Sequence, residues 1–287
     1  MPNFPIVDTH LHIWDPNNPK VRYPWLANVP FLNRPFLLED YKKATGPVQV
    51  EKMVFLECDV DKSQFLQEVE WVTESSAIDP RIQGIVANGS LELGDGVRPY
   101  LEKVSQNPLV KGIRRIVQGE PDPEFSIRHD FVRGVQALPD YGLSCDLCIY
   151  EAQMASTLKL VAQCPNVQFI LDHIGKPQII NHLMEPWRTE LRQLAQFPNV
   201  WCKMSGLVTE ADHKNWTPAD LRPYIDHVID CFGFDRVIYG GDWPVALQAA
   251  EYPRWVSTLD EALAGASERE LRALYHDNAI AFYRLPA

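Results

Sequence analysis

The chain has 287 residues, 27 of them Lys or Arg and 38 Asp or Glu, giving a formal net charge of −11. With 46% apolar and 23% charged residues it has the balance of a globular, enzyme-sized protein. The negative charge speaks against a nucleic-acid partner, which needs a basic stripe to neutralise phosphates, and equally against an anionic membrane surface.

No window reaches the roughly 18 consecutive apolar residues of a membrane span. The opening MPNFPIVDTH carries no secretory pattern, and six cysteines are too sparse for a disulfide scaffold, so the expected setting is cytoplasmic with reduced thiols.

Short apolar, β-branched runs predict strands at Phe4–Val7, Lys52–Glu57, Ile82–Ala87, Val110–Val117, Leu143–Ile149, Val167–Leu171, Val200–Met204 and Arg236–Tyr239. Helical periodicity falls between them, at Phe65–Ala77, Val97–Val104, Phe131–Leu138, Ala152–Ala162, Leu183–Ala195, Pro218–Cys231 and Trp255–Ala264, with a tail over Glu268–Tyr283. Near-continuous apolar strands alternating with amphipathic helices indicate a parallel sheet covered by helices. Eight such units without a composition break predict one (β/α)8 TIM barrel domain over residues 1–287. An open doubly wound sheet is the alternative, but no G-x-G-x-x-G follows the first strand, and the phosphate-loop and nucleophile-elbow motifs are absent. The Pro- and aromatic-rich stretch Trp14–Tyr41 reads as a loop over the barrel mouth.

The chemistry concentrates at three predicted strand ends. In Ile6-Val7-Asp8-Thr9-His10-Leu11-His12, side chains two apart share a face, so His10 and His12 can approach one ion together. They are expected just after the first strand, on the C-terminal side where barrel active sites lie. Asp172-His173-Ile174-Gly175-Lys176-Pro177 closes the sixth strand, and Tyr239-Gly240-Gly241-Asp242-Trp243-Pro244 closes the eighth. A lone carboxylate in such a place is ordinarily a helix cap. Together, however, His10, His12, His173 and Asp242 form a donor set suited to one divalent ion, zinc by ligand type, with a position open for water.

The ordered motifs VDTHLHIWDP, DHIGKP, CKMSGL and FGFDRVIYGGDWPV resemble the amidohydrolase superfamily in its Amidohydrolase-2 branch, over essentially Phe4 to Leu285. Within the branch the likeness is to sugar-lactone hydrolases of the L-fuconolactonase and L-rhamnonolactonase type. The resemblance implies a (β/α)8 barrel, a metal site at His10, His12, His173 and Asp242, and Asp242 as general base for water. Unlike the binuclear members, the fifth strand Ser144-Cys145-Asp146-Leu147-Cys148 has no histidine. The fourth, Lys111-Gly112-Ile113-Arg114-Arg115, offers Lys111 but is too cationic for a second ion.

The expected reaction opens a sugar-derived lactone, with a metal polarising the carbonyl. Without a metal, protonated His173 and a cationic side chain would take that role. A metal-dependent decarboxylase of the same branch and a non-catalytic sugar-binding barrel are the alternatives. Substrate contacts are expected from Trp25, Lys111, Arg114, Arg115, Lys203 and Trp243, with Trp14, Tyr23 and Ser205 as further possibilities. Alternation sends only one of Arg114 and Arg115 inward, to meet either a hydroxyl-rich ligand or a carboxylate such as Glu57. Cys145-x-x-Cys148 reads as core packing. Asp61 reads as a helix cap, and His129, His182, His213, His227 and His276 read as surface or capping residues. The sequence does not fix the oligomeric state.

Overall fold

A computed structural model describes residues 1–286. Eight parallel strands run in sequence order around one sheet. They are β1 (Ile6–Leu11), β2 (Val50–Leu56), β3 (Ile82–Asn88), β4 (Val110–Arg114), β5 (Ser144–Leu147), β6 (Phe169–Leu171), β7 (Val200–Met204) and β8 (Val237–Tyr239). The circle is completed through the Leu11–Trp243 bridge, the His12 amide donating to the Trp243 carbonyl at 2.9 Å, and Thr9 Oγ1 donating to the Tyr239 carbonyl at 2.6 Å. The result is the predicted (β/α)8 barrel.

Helices α1 (Leu38–Ala44), α2 (Phe65–Ile78), α3 (Arg98–Ser105), α4 (His129–Gln136) and α5 (Met154–Gln163) begin the outer layer. It continues with α6 (Trp187–Leu194), α7 (Pro218–Phe232) and α8 (Tyr252–Ala262). The C-terminal tail is not one helix: α9 (Glu268–Arg272), a π-helical turn (Ala273–Asp277) and α10 (Asn278–Tyr283) follow each other. Ala279, Phe282, Tyr283 and Leu285 pack against Val7, Val54, Leu56, Val86, Ile170 and Ile238, which fill the barrel interior. Arg284 donates to the carbonyls of Lys111 and Gly142, at the start of β4 and just before β5, so the tail plugs the N-terminal end.

Two predictions of local structure are corrected. Strand β1 starts and ends later than expected, so Asp8 to Leu11 lie within it rather than beyond it. Asp8 pairs with Met53 and Leu11 with Phe55, three steps against two, a bulge that breaks the simple alternation. The stretch Trp14–Tyr41 is not bare loop either. It contains a 3-10 turn at Pro24–Asn28, the Trp14–Phe36 bridge and the start of α1. Among the described residues no helix is long and apolar enough to cross a membrane.

Candidate active site

The ends of β1, β6 and β8 bring His10, His12, His173 and Asp242 together, as the motif positions predict. Nε2 of His10, His12 and His173 lie 3.7, 3.6 and 3.9 Å from the same oxygen, Oδ1 of Asp242. All four side chains are buried.

The backbone works hard to achieve this. Asp242 has φ +53°, and His173, Ile174, Gly175 and Lys176 have φ of 53°, 52°, 78° and 49°, a full left-handed turn. Each non-glycine residue there costs about 1–2 kcal/mol, which surrounding contacts must offset. Trp187 Nε1 donates to the Ile174 carbonyl at 2.7 Å, and the Lys176 amide donates to His173 at 2.9 Å. Gly206 supplies room, because a Cβ there would overlap the His173 ring.

A positioning group that sequence reasoning missed is Asp8. Its Oδ1 accepts from the His10 amide at 3.0 Å and the Gly241 amide at 2.8 Å. Its Oδ2 accepts from Tyr41 and Tyr252 hydroxyls at 2.7 and 2.9 Å. The carboxylate thus clamps the bulge of β1 to the turn that carries Asp242. Its signal was its place two residues before His10 on a buried strand.

Beneath the histidines lies a buried ionic layer. Arg114 donates through Nε to Glu57 at 2.7 Å and through Nη1 to Asp172 at 3.1 Å. Lys203 Nζ sits 2.8 Å from Asp172 and 3.0 Å from Asp146, and Tyr283 donates to Asp146 at 2.7 Å. Burial pushes the Asp172 carboxyl up, but Lys203, His10 and Arg114 outweigh it and hold the group well below the usual carboxylate range.

The proton positions bear directly on metal binding. His12 Nδ1 stands 2.9 Å from the Leu56 carbonyl, which can only accept, so the proton is on Nδ1 and Nε2 presents a lone pair to the Asp242 carboxylate. Two lone pairs facing each other call for a cation or a proton between them, and a ligating histidine commonly gives its other N–H to a carbonyl. His173 Nδ1 meets Ser205 Oγ at 2.9 Å, leaving Nε2 toward Asp242. Burial lowers the His173 pKa to about 4, against the opposing charge of Asp242. The ring is therefore neutral at pH 7, which does not suit the protonated oxyanion partner envisaged for a metal-free site.

His10, His12 and Asp242 have donor atoms close enough for one ion, as do His10, Asp172 and His173. The second group is already neutralised, since Lys203 and Arg114 both hold Asp172. Arg114 Nη1 also approaches His10 Nε2 at 3.3 Å and can only donate to it. The residues fit one divalent ion at His10, His12 and Asp242, with His173 Nε2 also turned toward Asp242, and a fixed guanidinium stands where a second ion would go.

Above the ion set opens a cavity of about 240 Å³, lined by His12, Trp14, Trp25, Glu57, Asp59, Arg114, Gln118, His173, Lys176, Asp242 and neighbouring residues. Of the expected substrate contacts, Trp14, Trp25 and Arg114 are in its wall. Arg114 lines the cavity and pairs with Glu57, the carboxylate alternative. Lys111 lies at the start of β4, beside Arg284 and the plug, at the opposite end of the barrel. Arg115 turns outward to Glu92 and Glu120. Lys203 is fully buried and spent on two carboxylates, and Ser205 is spent on His173. Trp243 is 1% exposed and packs on Phe36 and Tyr41, with ring centroids 5.5 and 5.3 Å away. Tyr23 is buried below the mouth.

Asp61 caps the turn after it, with Oδ1 accepting from Ser63, as expected. Cys145 and Cys148 are buried and free, although Cys148 also reaches the cavity wall. His227 departs from its surface assignment: it is buried against Trp187, with Nε2 on the Arg188 carbonyl at 2.8 Å.

An amidohydrolase family model matches residues 7–285, and the chain belongs to that family. L-fucono-1,5-lactonase of Burkholderia multivorans is 31% identical over 297 residues, covering 98% of this chain and 96% of that protein. L-rhamnono-gamma-lactonase of Scheffersomyces stipitis is 25% identical over 350 residues, covering 99% of this chain and 100% of that one. A crystal structure of an amidohydrolase from Burkholderia multivorans with bound zinc has a TM-score of 0.87 at 28% identity, covering 99% of this chain and 100% of that one.

Proposed function

We propose that this chain hydrolyses a sugar-derived lactone to its hydroxy acid, with Asp242 as the base that activates water. The observation that carries this reading is the convergence of three imidazole Nε2 atoms on one oxygen of Asp242 at the floor of a small cavity. The lactonase names of the full-length relatives support it. A cavity of about 240 Å³ suits a single small ring.

His10, His12 and Asp242, with His173 beside them, would hold one divalent ion, zinc by donor type and by the neighbouring structure, whose chemistry is to polarise the carbonyl and acidify water. The chain's own groups do the rest. Burial would raise the Asp242 pKa, but His173, His12 and Lys176 outweigh it and keep the carboxyl ionised. It can therefore accept a proton from water as the water oxygen bonds to the carbonyl carbon. When the ring C–O bond breaks, Asp242 returns that proton to the departing alkoxide. One water is consumed, and ionisation of the new acid releases one proton to solution.

A panel of 1,4- and 1,5-aldonolactones, assayed with a pH indicator with and without chelator, tests the proposal. One proton released per lactone is expected, with activity lost on chelation and restored by zinc. If no lactone is opened, the reading fails, and carbon dioxide released from an aromatic acid would replace it with the decarboxylase.

A further inference from the structure

Three cations stand at this end of the barrel, Arg114 and Lys203 buried and Lys176 half-buried, and they are not equally committed. Arg114 is held by Glu57 and Asp172, and Lys203 by Asp146 and Asp172. Lys176 differs: among the described residues no carboxylate lies within 4.0 Å of its ammonium. Its Nζ donates to Gln118 Oε1 at 2.6 Å and stands 5.4 Å from the centre of the Tyr150 ring.

An ammonium has three donors, and Gln118 takes one. A partly buried charge with donors to spare is costly unless a ligand supplies oxygen atoms. The left-handed turn that delivers His173 delivers Lys176 with it, so the ammonium is fixed relative to the reacting centre. Gln118 also lines the cavity, and because its oxygen faces Lys176 its amide nitrogen is left to donate.

The charge of the wall selects among oxygen ligands. Glu57 offsets Arg114, which leaves Asp59 and Asp242 against Lys176. With Asp242 committed to the ion, the wall offers one free ammonium and one free carboxylate, Lys176 and Asp59. It suits neutral hydroxyls, which accept from Lys176 and donate to Asp59.

Resting on the lactonase reading, we propose that Lys176, backed by Gln118, is the specificity residue that reads hydroxyl groups on the lactone ring. The test compares L-fucono-1,5-lactone with δ-hexalactone, the same methyl-bearing ring without hydroxyls, in the wild-type protein and in Lys176→Met and Gln118→Leu. The ratio of kcat/KM for the hydroxylated over the bare ring should fall about 10- to 100-fold in Lys176→Met, the size of a lost hydrogen bond to a charged group, and by less in Gln118→Leu. The loss should sit mainly in KM. A ratio equal to wild type, whether both lactones slow together or neither does, overturns the proposal.

A second arm needs no turnover. Calorimetric binding of 1,5-anhydro-L-fucitol, the hydroxylated ring without a carbonyl, should weaken by a similar factor in Lys176→Met. If the wild-type protein opens neither lactone, the lactonase reading fails, and this arm alone decides the role of Lys176. Equal binding by wild type and variant overturns it.

Discussion

Lys203 stands 2.8 Å from Asp172 at the centre of the barrel, and both side chains are fully buried. The pair is a structural keystone of the site floor, because Asp172 also holds Arg114 while Lys203 also holds Asp146. Replacing Lys203 by Met leaves two buried carboxylates short of their cation. Removing one partner of such a pair costs about 3–5 kcal/mol. Urea unfolding of Lys203→Met should show a loss of that size, and a variant as stable as wild type would mean the pair contributes little.

Asp242→Asn keeps the shape of the side chain and removes its capacity to take a proton. With the fold retained, by thermal melt, kcat for lactone opening should fall at least about 100-fold. The same change removes the charged donor of the proposed ion site, so zinc affinity measured by equilibrium dialysis should fall as well. Activity close to wild type would end the assignment of Asp242 as base.

Gly206 has φ +66°, and a Cβ would overlap the His173 ring. Gly206→Ala should therefore cost about 1–2 kcal/mol from the backbone alone and displace His173 as well. A melting temperature and a kcat both lower than wild type are expected. An unaffected kcat would show that His173 has slack in its position.

Burial holds the His173 pKa at about 4, below its ordinary 6.5, so the folded state favours the neutral ring. Between these values the unfolded chain binds the proton and the folded one does not, so stability drops as the pH is lowered. The contribution is complete above pH 6.5 and is lost progressively down to about pH 4. In order of magnitude it is about 3 kcal/mol. Chelator-treated protein should show this slope in urea midpoints measured from pH 7 to 4, and His173→Gln should flatten it. Equal slopes in the two proteins would refute the shift.

The legible part of the site was the part written in short-range spacing. His10, His12, His173 and Asp242 each follow or end an apolar run, and the barrel places strand ends together whatever the details of the loops. What period two cannot encode is depth along a strand. Lys111, Arg114 and Lys203 all belong to strands, yet one lies at the far end, one in the cavity wall and one beneath it. Lys176 was hidden for another reason, since only a left-handed turn swings it to the side of His173. Asp8 reads as one more buried polar residue until Tyr41, Tyr252 and Gly241, far off in sequence, are seen to share it. Trp243 sits beside Asp242 in the chain but turns away to pack on Phe36 and Tyr41.

The plug of the barrel has a consequence for how the protein comes to be. Val7, in the first strand, packs in the same cluster as Phe282 and Leu285, which follow the last strand. The loop so closed spans nearly the whole chain, and contacts of that separation form late and slowly. Until they form, the interior has an open lower end and Asp146 lacks the hydroxyl of Tyr283. The nascent chain can assemble its strand–helix units in order as they emerge, but the floor on which the histidines rest is finished only once Tyr283 and Leu285 have followed the eighth strand out.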